Sequence, residues 1–235
     1  MDAQFWRQRW QENLIGWHLD EVHPALIRYF SRLRIKNGET IFIPLCGKSI
    51  DMAWLAQQGF QVVGVELSDR AINDFFSEQH MTPDHGVENG IDYYQAGNIK
   101  LFHADYFDLL PQHMKDVKAV YDRAALIALP KEGERGRKAY MQQMRQLFGP
   151  DIKILLITLD YDQQKMAGPP FSVSGEEVIY QYAFDHIIEF LSQEEILHQE
   201  DKFRQRGLES LKECVFMMTR YEPVYAAFSD LPQDF

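Results

Sequence analysis

The most constraining feature of the sequence is a regular alternation of short apolar runs and capped helical segments between residues 40 and 79. Residues 40–44 (TIFIP) and 61–65 (QVVGV) have the apolar content and the nearby glycines of buried strands. Each is followed by a serine, Ser49 or Ser68, that can accept a hydrogen bond at the start of a helix. Strands that alternate with helices pair in parallel, so the sequence predicts an α/β fold built on a doubly wound sheet.

The same alternation continues along the rest of the 235-residue chain. Further strands are predicted over 99–103, 117–121, 153–159 and 214–220, and helices over 20–33, 49–58, 68–79, 132–148 and 175–183. Residues 81–97 are polar and interrupted by Gly and Pro, which favours a hairpin or loop insertion. No linker or repeat divides the sequence, so we expect a single domain over residues 1–235 with an N-terminal extension over about 1–34.

Composition and charge exclude several classes of protein. The chain has 24 Lys and Arg against 35 Asp and Glu, a formal net charge of -11, which disfavours nucleic-acid binding. Cys46 and Cys214 lie far apart, and no Cys or His cluster has metal-ligand spacing. The sequence shows neither a signal-peptide pattern nor an apolar run long enough to span a bilayer. We therefore expect a cytoplasmic protein with no metal, no membrane partner and no nucleic-acid partner.

The loop after the first strand indicates the kind of cofactor. In doubly wound sheets, ligands bind beyond the carboxyl ends of the strands, where residues 44–49 (PLCGKS) lie. The loop has one glycine, so it fits neither the phosphate-binding loop nor the dinucleotide fingerprint GxGxxG. A single-glycine turn suits a nucleoside cofactor without a pyrophosphate, such as S-adenosylmethionine. Glu66 ends the second strand, where a carboxylate can accept hydrogen bonds from ribose hydroxyls.

Four segments of the sequence resemble the thiopurine S-methyltransferase family, in particular its bacterial members. They are FIPLCGKSIDMAWLAQQGFQVVGVELS, GNIKLFHADYFDL, YDRAALIAL and AGPPFSV, and the likeness runs in order from about Phe5 to Arg220. The resemblance implies a class I S-adenosylmethionine-dependent methyltransferase fold. Such a fold is a Rossmann-like sheet of seven mostly parallel strands, the last one antiparallel, with helices on both faces.

The resemblance also implies an activity and its partners. The acceptor would be a small aromatic or heterocyclic thiol such as a thiopurine, with selenium or tellurium compounds as possible acceptors in metalloid detoxification. A monomer is expected for this family. Two other functions stay open from the residues alone. A nicotinamide-dependent oxidoreductase would share the fold and Glu66, and a non-catalytic S-adenosylmethionine-binding protein would need no acceptor pocket.

Cofactor contacts follow from the same resemblance, position by position. Leu45 matches a loop leucine beside the methionine part, Glu66 the ribose carboxylate, and Arg123 the arginine after the fourth strand. The full set of cofactor-binding residues so implied is Trp6, Trp10, Leu45, Glu66, Asp105, Tyr106 and Arg123. Mammalian-type members carry other residues at positions 105 and 106, which favours backbone contacts to the adenine there. From spacing alone, Asp105 is equally compatible with a solvated turn.

The acceptor side of the site is assigned in the same way. Trp17 stands where mammalian-type members have phenylalanine against the aromatic substrate, and Pro169, Pro170 and Phe171 match the loop that closes over it. The position of Trp17 keeps the aromatic character of the pocket but leaves its shape open.

The chemistry of these residues is coherent. Trp6 and Trp10 are four positions apart, so on a helix they share one face and form an aromatic lid that can attract a sulfonium cation. A lid that excludes water favours methyl transfer from a sulfonium to a thiolate, because opposite charges merge. Arg123 is permanently protonated and is the candidate catalytic residue, which stabilises the thiolate or orients a water. The alternative is a surface ion pair between Asp122 and Arg123.

Overall fold

A single large sheet organises the described part of the chain. The computed structural model describes residues 3–149 and 151–220. The strands are β1 (Thr40–Ile43), β2 (Gln61–Glu66), β3 (Asp84–Glu88), β4 (Ile91–Ala96), β5 (Ile99–His103), β6 (Val117–Arg123), β7 (Lys153–Asp160), β8 (His186–Glu195) and β9 (Lys212–Arg220). The α-helices are α1 (Ala3–Gln11), α2 (Pro24–Tyr29), α3 (Ile50–Gln57), α4 (Asp69–Glu78), α5 (Arg137–Phe148), α6 (Gly175–Tyr182) and α7 (Asp201–Gln205).

The strand order confirms the predicted fold class. The order is β3-β4-β5-β2-β1-β6-β7-β9-β8, and the five strands from β5 to β7 pair in parallel. β9 inserts antiparallel between β7 and β8, as expected for the last strand. The seven strands from β5 to β8 are the expected sheet, and the hairpin β3–β4 extends it at the β5 edge to nine strands over the described residues.

Helices cover both faces of the sheet because the strand side chains alternate. In β1, Ile41 and Ile43 pack on one face with α2, α3 and α4, while Phe42 packs on the other face with α5 and α6. Both layers are fully closed at the centre: Phe42 and Ile41 have no exposed surface. This two-sided burial fixes the parallel strands and aligns their carboxyl ends at one edge of the sheet.

Several predicted boundaries need correction. The helix expected over 132–148 starts at Arg137, because Gly133 takes a left-handed φ of +109° and Gly136 is extended. The helix expected over 20–33 is shorter: α2 begins at Pro24 and gives way to a 3₁₀ turn at Phe30–Leu33. The strand expected over 117–121 reaches Arg123, and no predicted segment corresponds to β8, although the resemblance implied seven strands. Within the described residues, no helix is long and apolar enough to cross a membrane.

Candidate functional site

A cavity of about 310 Å³ opens at the carboxyl edge of the sheet, within the size range of small-molecule sites. Its walls come from the carboxyl ends of β1, β2, β6 and β7, the start of β9, helix α1 with the loop that follows it, and the loop containing Pro169. Most of the predicted site residues line it: Trp6, Trp10, Trp17, Leu45, Glu66, Asp105, Arg123, Pro169 and Pro170. No cluster of three or more metal-ligating side chains is found in the described residues.

The loop between β1 and α3 forms the floor under the N-terminal helix. Leu45 and Gly47 take left-handed φ values of +45° and +54°, and the Cys46 N–H donates to the Val65 carbonyl at 3.0 Å. A Cβ added to Gly47 would lie 3.0 Å from the Trp10 ring, tighter than an ordinary contact. The loop therefore needs glycine both for its backbone and for the indole that covers it.

Glu66 is bound into this loop through both carboxylate oxygens. Oε2 accepts a hydrogen bond from the Gly47 N–H at 2.9 Å, and Oε1 accepts one from the Ser68 N–H at 2.8 Å. The residue is only 5% exposed, and burial raises the pKa of its carboxyl from 4.5 to about 7. Each oxygen keeps a further lone pair, so the carboxylate can also accept hydrogen bonds from a diol in the cavity.

Three tryptophans assemble over the cavity. Trp17 packs edge to face against both Trp6 and Trp10, with ring centroids 5.3 and 5.9 Å apart. Arg9, on the same helix as Trp6 and Trp10, lines the cavity with its guanidinium over the Phe5 ring, and its buried Nε has no hydrogen-bond partner among residues 3–149 and 151–220. The cavity therefore has an aromatic wall.

Arg123 ends β6 and lines the cavity, and no hydrogen bond or ion pair of its side chain is found in the described residues. Its neighbour Asp122 points away: it is fully buried and accepts hydrogen bonds from the Tyr140 hydroxyl at 2.7 Å and the Leu126 N–H at 3.1 Å. Burial raises the pKa of Asp122 to about 6. A surface pair between Asp122 and Arg123 is thus absent, and Arg123 forms part of the cavity wall.

The Tyr106 side chain does not line the cavity. Its side chain is buried in the core, 1% exposed, where its hydroxyl donates to the Tyr140 carbonyl at 3.2 Å. The following ring, Phe107, lines the cavity instead. Asp105 does line it, accepting hydrogen bonds from the Phe107 N–H and from Arg135. The Tyr106 side chain therefore supports the site from the core.

The Phe171 side chain also lies outside the cavity lining. Its ring packs against Gly168, where an added Cβ would come within 2.6 Å of it, and it does not line the cavity. The Tyr161 hydroxyl donates to the Pro170 carbonyl at 2.6 Å, and the Phe171 N–H donates to the Ile127 carbonyl at 2.7 Å. These contacts hold Pro169 and Pro170 against the cavity from behind.

Sequence reasoning did not identify two polar residues of the cavity, His23 and Glu213. They are 190 positions apart, and His23 Nε2 lies 3.1 Å from Glu213 Oε2. No local signal in the sequence connects them. Only the placement of β9 beside β7 brings them together.

The fold and the site define a class of protein. A single-glycine loop, an acid at the end of β2 and an aromatic cover lie together at the carboxyl edge, which is the arrangement expected of a methyltransferase that uses S-adenosylmethionine. The fold comparison agrees. A SAM-dependent methyltransferase from Anabaena variabilis ATCC 29413 matches with a TM-score of 0.61 at 16% identity, covering 93% of this chain and 95% of that one.

A second solved structure has the same fold. The Burkholderia thailandensis 1,6-didemethyltoxoflavin-N1-methyltransferase, solved with bound 1,6-didemethyltoxoflavin and S-adenosylhomocysteine, matches with a TM-score of 0.60 at 12% identity, covering 94% of this chain and 87% of that one.

Sequence comparison then gives the family. The thiopurine S-methyltransferase profile matches residues 1–221. The thiopurine S-methyltransferase of Pseudomonas aeruginosa (strain LESB58) is 45% identical over 220 residues, 94% of this chain and all of that protein. That of Nitrosospira multiformis is 43% identical over 221 residues, 94% of this chain and 99% of that protein. The chain belongs to the thiopurine S-methyltransferase family, and its cofactor is S-adenosylmethionine.

Proposed function

We propose that the protein methylates the sulfur of small aromatic and heterocyclic thiols. The observation that carries this proposal is that Arg123 lines a partly aromatic cavity while its side chain makes no hydrogen bond or ion pair within the described residues. The relatives named above are thiopurine S-methyltransferases, which supports a heterocyclic thiol as acceptor. Family membership gives no support to the nicotinamide-dependent oxidoreductase considered from the sequence.

The residues present fit S-adenosylmethionine. Glu66 would accept hydrogen bonds from the ribose hydroxyls, the Leu45–Gly47 loop would hold the methionine part, and the Arg9 guanidinium, whose Nε has no partner among the described residues, would donate to an acidic group. Trp10, 4% exposed, closes this side of the cavity. When bound, the cofactor supplies an electrophilic methyl group on a sulfonium sulfur.

The acceptor half of the cavity prepares the thiol. Arg123 favours the thiolate over the thiol, because a fixed positive charge lowers the pKa of a nearby acid. The thiol proton would pass to water, and Arg123 would hold the resulting thiolate beside the methyl group that bound S-adenosylmethionine would supply. Trp6, Trp10 and Trp17 exclude water from this step, which removes the hydration that would stabilise the separated charges.

The proposal extends to further features predicted from the sequence. Residues 1–34 would act as a lid within a single domain, since Trp6, Trp10 and Trp17 all cover the cavity.

Selenium or tellurium compounds would serve as alternative acceptors, because their anions are also soft nucleophiles. We further propose a cytoplasmic monomer without nucleic-acid partners, consistent with the net charge of -11 and with two buried, unpaired cysteines.

The test combines binding with turnover. S-adenosylhomocysteine and NAD are titrated by calorimetry, and then thiophenol, a heterocyclic thiol and a selenol are offered with S-adenosylmethionine. Formation of the S-methyl product by mass spectrometry supports the proposal. Cofactor binding without turnover of any acceptor would favour a non-catalytic binding protein and would overturn it.

A further inference from the structure

The cavity has a charged residue on either side of an apolar strip. Arg123 on β6 is in register with Ile157 on β7, and Leu159 on β7 is in register with Glu213 on β9. Ile157 and Leu159 are two positions apart on one strand and so share a face of the sheet. Neighbouring strands are about 4.8 Å apart, so β6 and β9 are separated by roughly 10 Å across that strip. A planar ring lying on the strip would therefore have a cation on one side and a carboxylate on the other.

His23 holds the Glu213 carboxylate in place. The Ala25 N–H donates to His23 Nδ1 at 3.2 Å, so Nε2 carries the ring proton and donates to Glu213 Oε2 at 3.1 Å. The backbone N–H of His23 donates to Asp51 Oδ1 at 2.9 Å, and Asp51 Oδ2 accepts from the Tyr121 hydroxyl at 2.9 Å. His23 thus has every polar contact of its ring and its N–H satisfied, and its orientation is fixed.

In the pair of His23 and Glu213, the residue that is left able to bind a ligand is Glu213. Both ring nitrogens of His23 are engaged, Nδ1 by the Ala25 N–H and Nε2 by Glu213, so the imidazole offers no unoccupied nitrogen to a ligand. Glu213 has only one oxygen bonded to His23, and its side chain is 20% exposed at the cavity wall. The other lone pairs of the carboxylate are open to a ligand in a partly desolvated site, where a hydrogen bond to charge is strong.

We propose that Glu213 is a specificity-determining residue that accepts a hydrogen bond from an N–H or O–H group on the acceptor ring, and that His23 is its positioning residue. The inference rests on the proposed thiol methyltransferase function and names the feature of the acceptor that the far side of the cavity recognises. Acceptors with a donor on the ring are favoured. Acceptors with a carboxylate at the same place are disfavoured, because two like charges would meet.

Two variants separate the charge from its positioning. Glu213→Gln keeps the size of the side chain and an oxygen for the His23 Nε2–H, but removes the carboxylate. His23→Asn keeps an oxygen at the position of Nδ1, which can still accept from the Ala25 N–H, and loses the contact to Glu213. Glu194→Gln is the matched control, since Glu194 is 56% exposed and pairs with Arg28 away from the cavity.

The readout is selectivity among thiols that differ at one substituent: thiophenol as reference, 3-hydroxythiophenol and 3-mercaptobenzoate. In Glu213→Gln, the ratio of kcat/KM for the hydroxy compound over that for the carboxylate falls by about tenfold or more, mainly through KM. His23→Asn shifts the ratio in the same direction by less, and Glu194→Gln leaves it as in the wild type. A folded Glu213→Gln protein with the wild-type ratio would overturn the assignment.

A binding experiment keeps this inference separate from the proposed function. The sulfur-free analogues 3-methylphenol and 3-methylbenzoate are titrated against the fluorescence of the cavity tryptophans with S-adenosylhomocysteine present. The ratio of their dissociation constants shifts in Glu213→Gln as above, whether or not a thiol is methylated. If the wild type turns over no thiol but this ratio shifts, the proposed function fails and the role of Glu213 stands. If thiols are methylated and neither ratio shifts, the proposed function stands and the proposed role of Glu213 is wrong.

Discussion

In its proposed role, Glu66 combines two requirements in one side chain: it is buried against the β1–α3 loop, yet it must carry charge to accept hydrogen bonds from a ribose. Burial raises the pKa of its carboxyl to about 7, above the ordinary 4.5. The folded protein therefore binds this proton more tightly than the unfolded chain does. The contribution of Glu66 to the free energy of unfolding is largest below pH 4.5 and is lost as the pH rises through about 7.

Cofactor affinity should change with pH in the opposite direction. Because the ionised carboxylate is the better acceptor for ribose hydroxyls, we expect S-adenosylhomocysteine to bind about tenfold more tightly at pH 8 than at pH 6. Calorimetric titrations over this range measure the effect. Glu66→Gln should show a flat profile and an affinity lower by about 1.5 to 3 kcal/mol at pH 8. An equally steep profile in the variant would show that another group is responsible.

Arg123 should matter most for acceptors that arrive protonated. We expect Arg123→Ala to lower kcat/KM on the order of 10²-fold for an alkyl thiol of high pKa, and much less for an acidic aromatic thiol that is already ionised. Arg123→Lys should recover part of the loss, because it keeps the charge without the planar fork.

The measurement for Arg123 is turnover against acceptor pKa for the wild type and both variants. Cofactor affinity is determined separately, because Arg123 lines the same cavity as the cofactor residues. Equal losses across the whole acceptor series would remove Arg123 from thiol activation and leave it a binding role alone.

At the scale of elements, the contact between α1 and the β1–α3 loop should couple the lid to the cofactor. Gly47→Ala places a Cβ 3.0 Å from Trp10 at a φ of +54°. Gly38→Ala is its control, with a φ of +84° and open space around the added atom. Both variants should lose about 1–2 kcal/mol of folding stability from the left-handed backbone.

Only Gly47→Ala should also weaken S-adenosylhomocysteine binding, because only there must the indole move. Denaturant unfolding and calorimetry on the two variants separate these effects. If Gly38→Ala weakened S-adenosylhomocysteine binding as much as Gly47→Ala, the loss of affinity would result from lower folding stability. The contact with Trp10 would then have no effect on cofactor binding.

The strands that the sequence predicted are those whose side chains are buried on both faces of the sheet. Each parallel strand from β1 to β7 was located because both of its faces are apolar, and Ser49 and Ser68 cap α3 and α4 as predicted. β8 escaped because it is the edge strand, and it exposes Ile187 and Phe190 beside a polar stretch. Its pairing depends on β9, which follows it by sixteen residues.

The site residues also divide into those that the local sequence predicts and those that depend on tertiary contacts. Glu66 and Leu45 follow from local spacing or resemblance, because each lies at a strand end that the chain itself marks. Which of two adjacent rings, Tyr106 or Phe107, faces the cavity is set by the 3₁₀ turn at Tyr106–Asp108 and by the acceptor that Tyr140 offers in the core. That information is tertiary and has no counterpart in the local sequence.

For the whole molecule, cofactor binding should stabilise the native state. S-adenosylhomocysteine at one hundred times its dissociation constant should add about 2.7 kcal/mol to the free energy of unfolding, because only the folded chain forms the cavity. The melting temperature should rise with ligand concentration, while NAD at the same concentration should leave it unchanged. A rise with NAD alone would contradict the cofactor assignment.

The insertion of β9 between β7 and β8 has a consequence for how the protein is made. Trp6 and Glu213 belong to one cavity, yet they lie near opposite ends of the described chain, and β8 cannot join the sheet until β9 has passed between it and β7. Because a ribosome releases the chain from the N-terminus onward, the site can close only after β9, which follows every other strand of the described chain, has been made. A polypeptide interrupted before β9 would thus leave the ribosome without a complete acceptor pocket and with the flank of β7 uncovered, a natural target for chaperones and proteases.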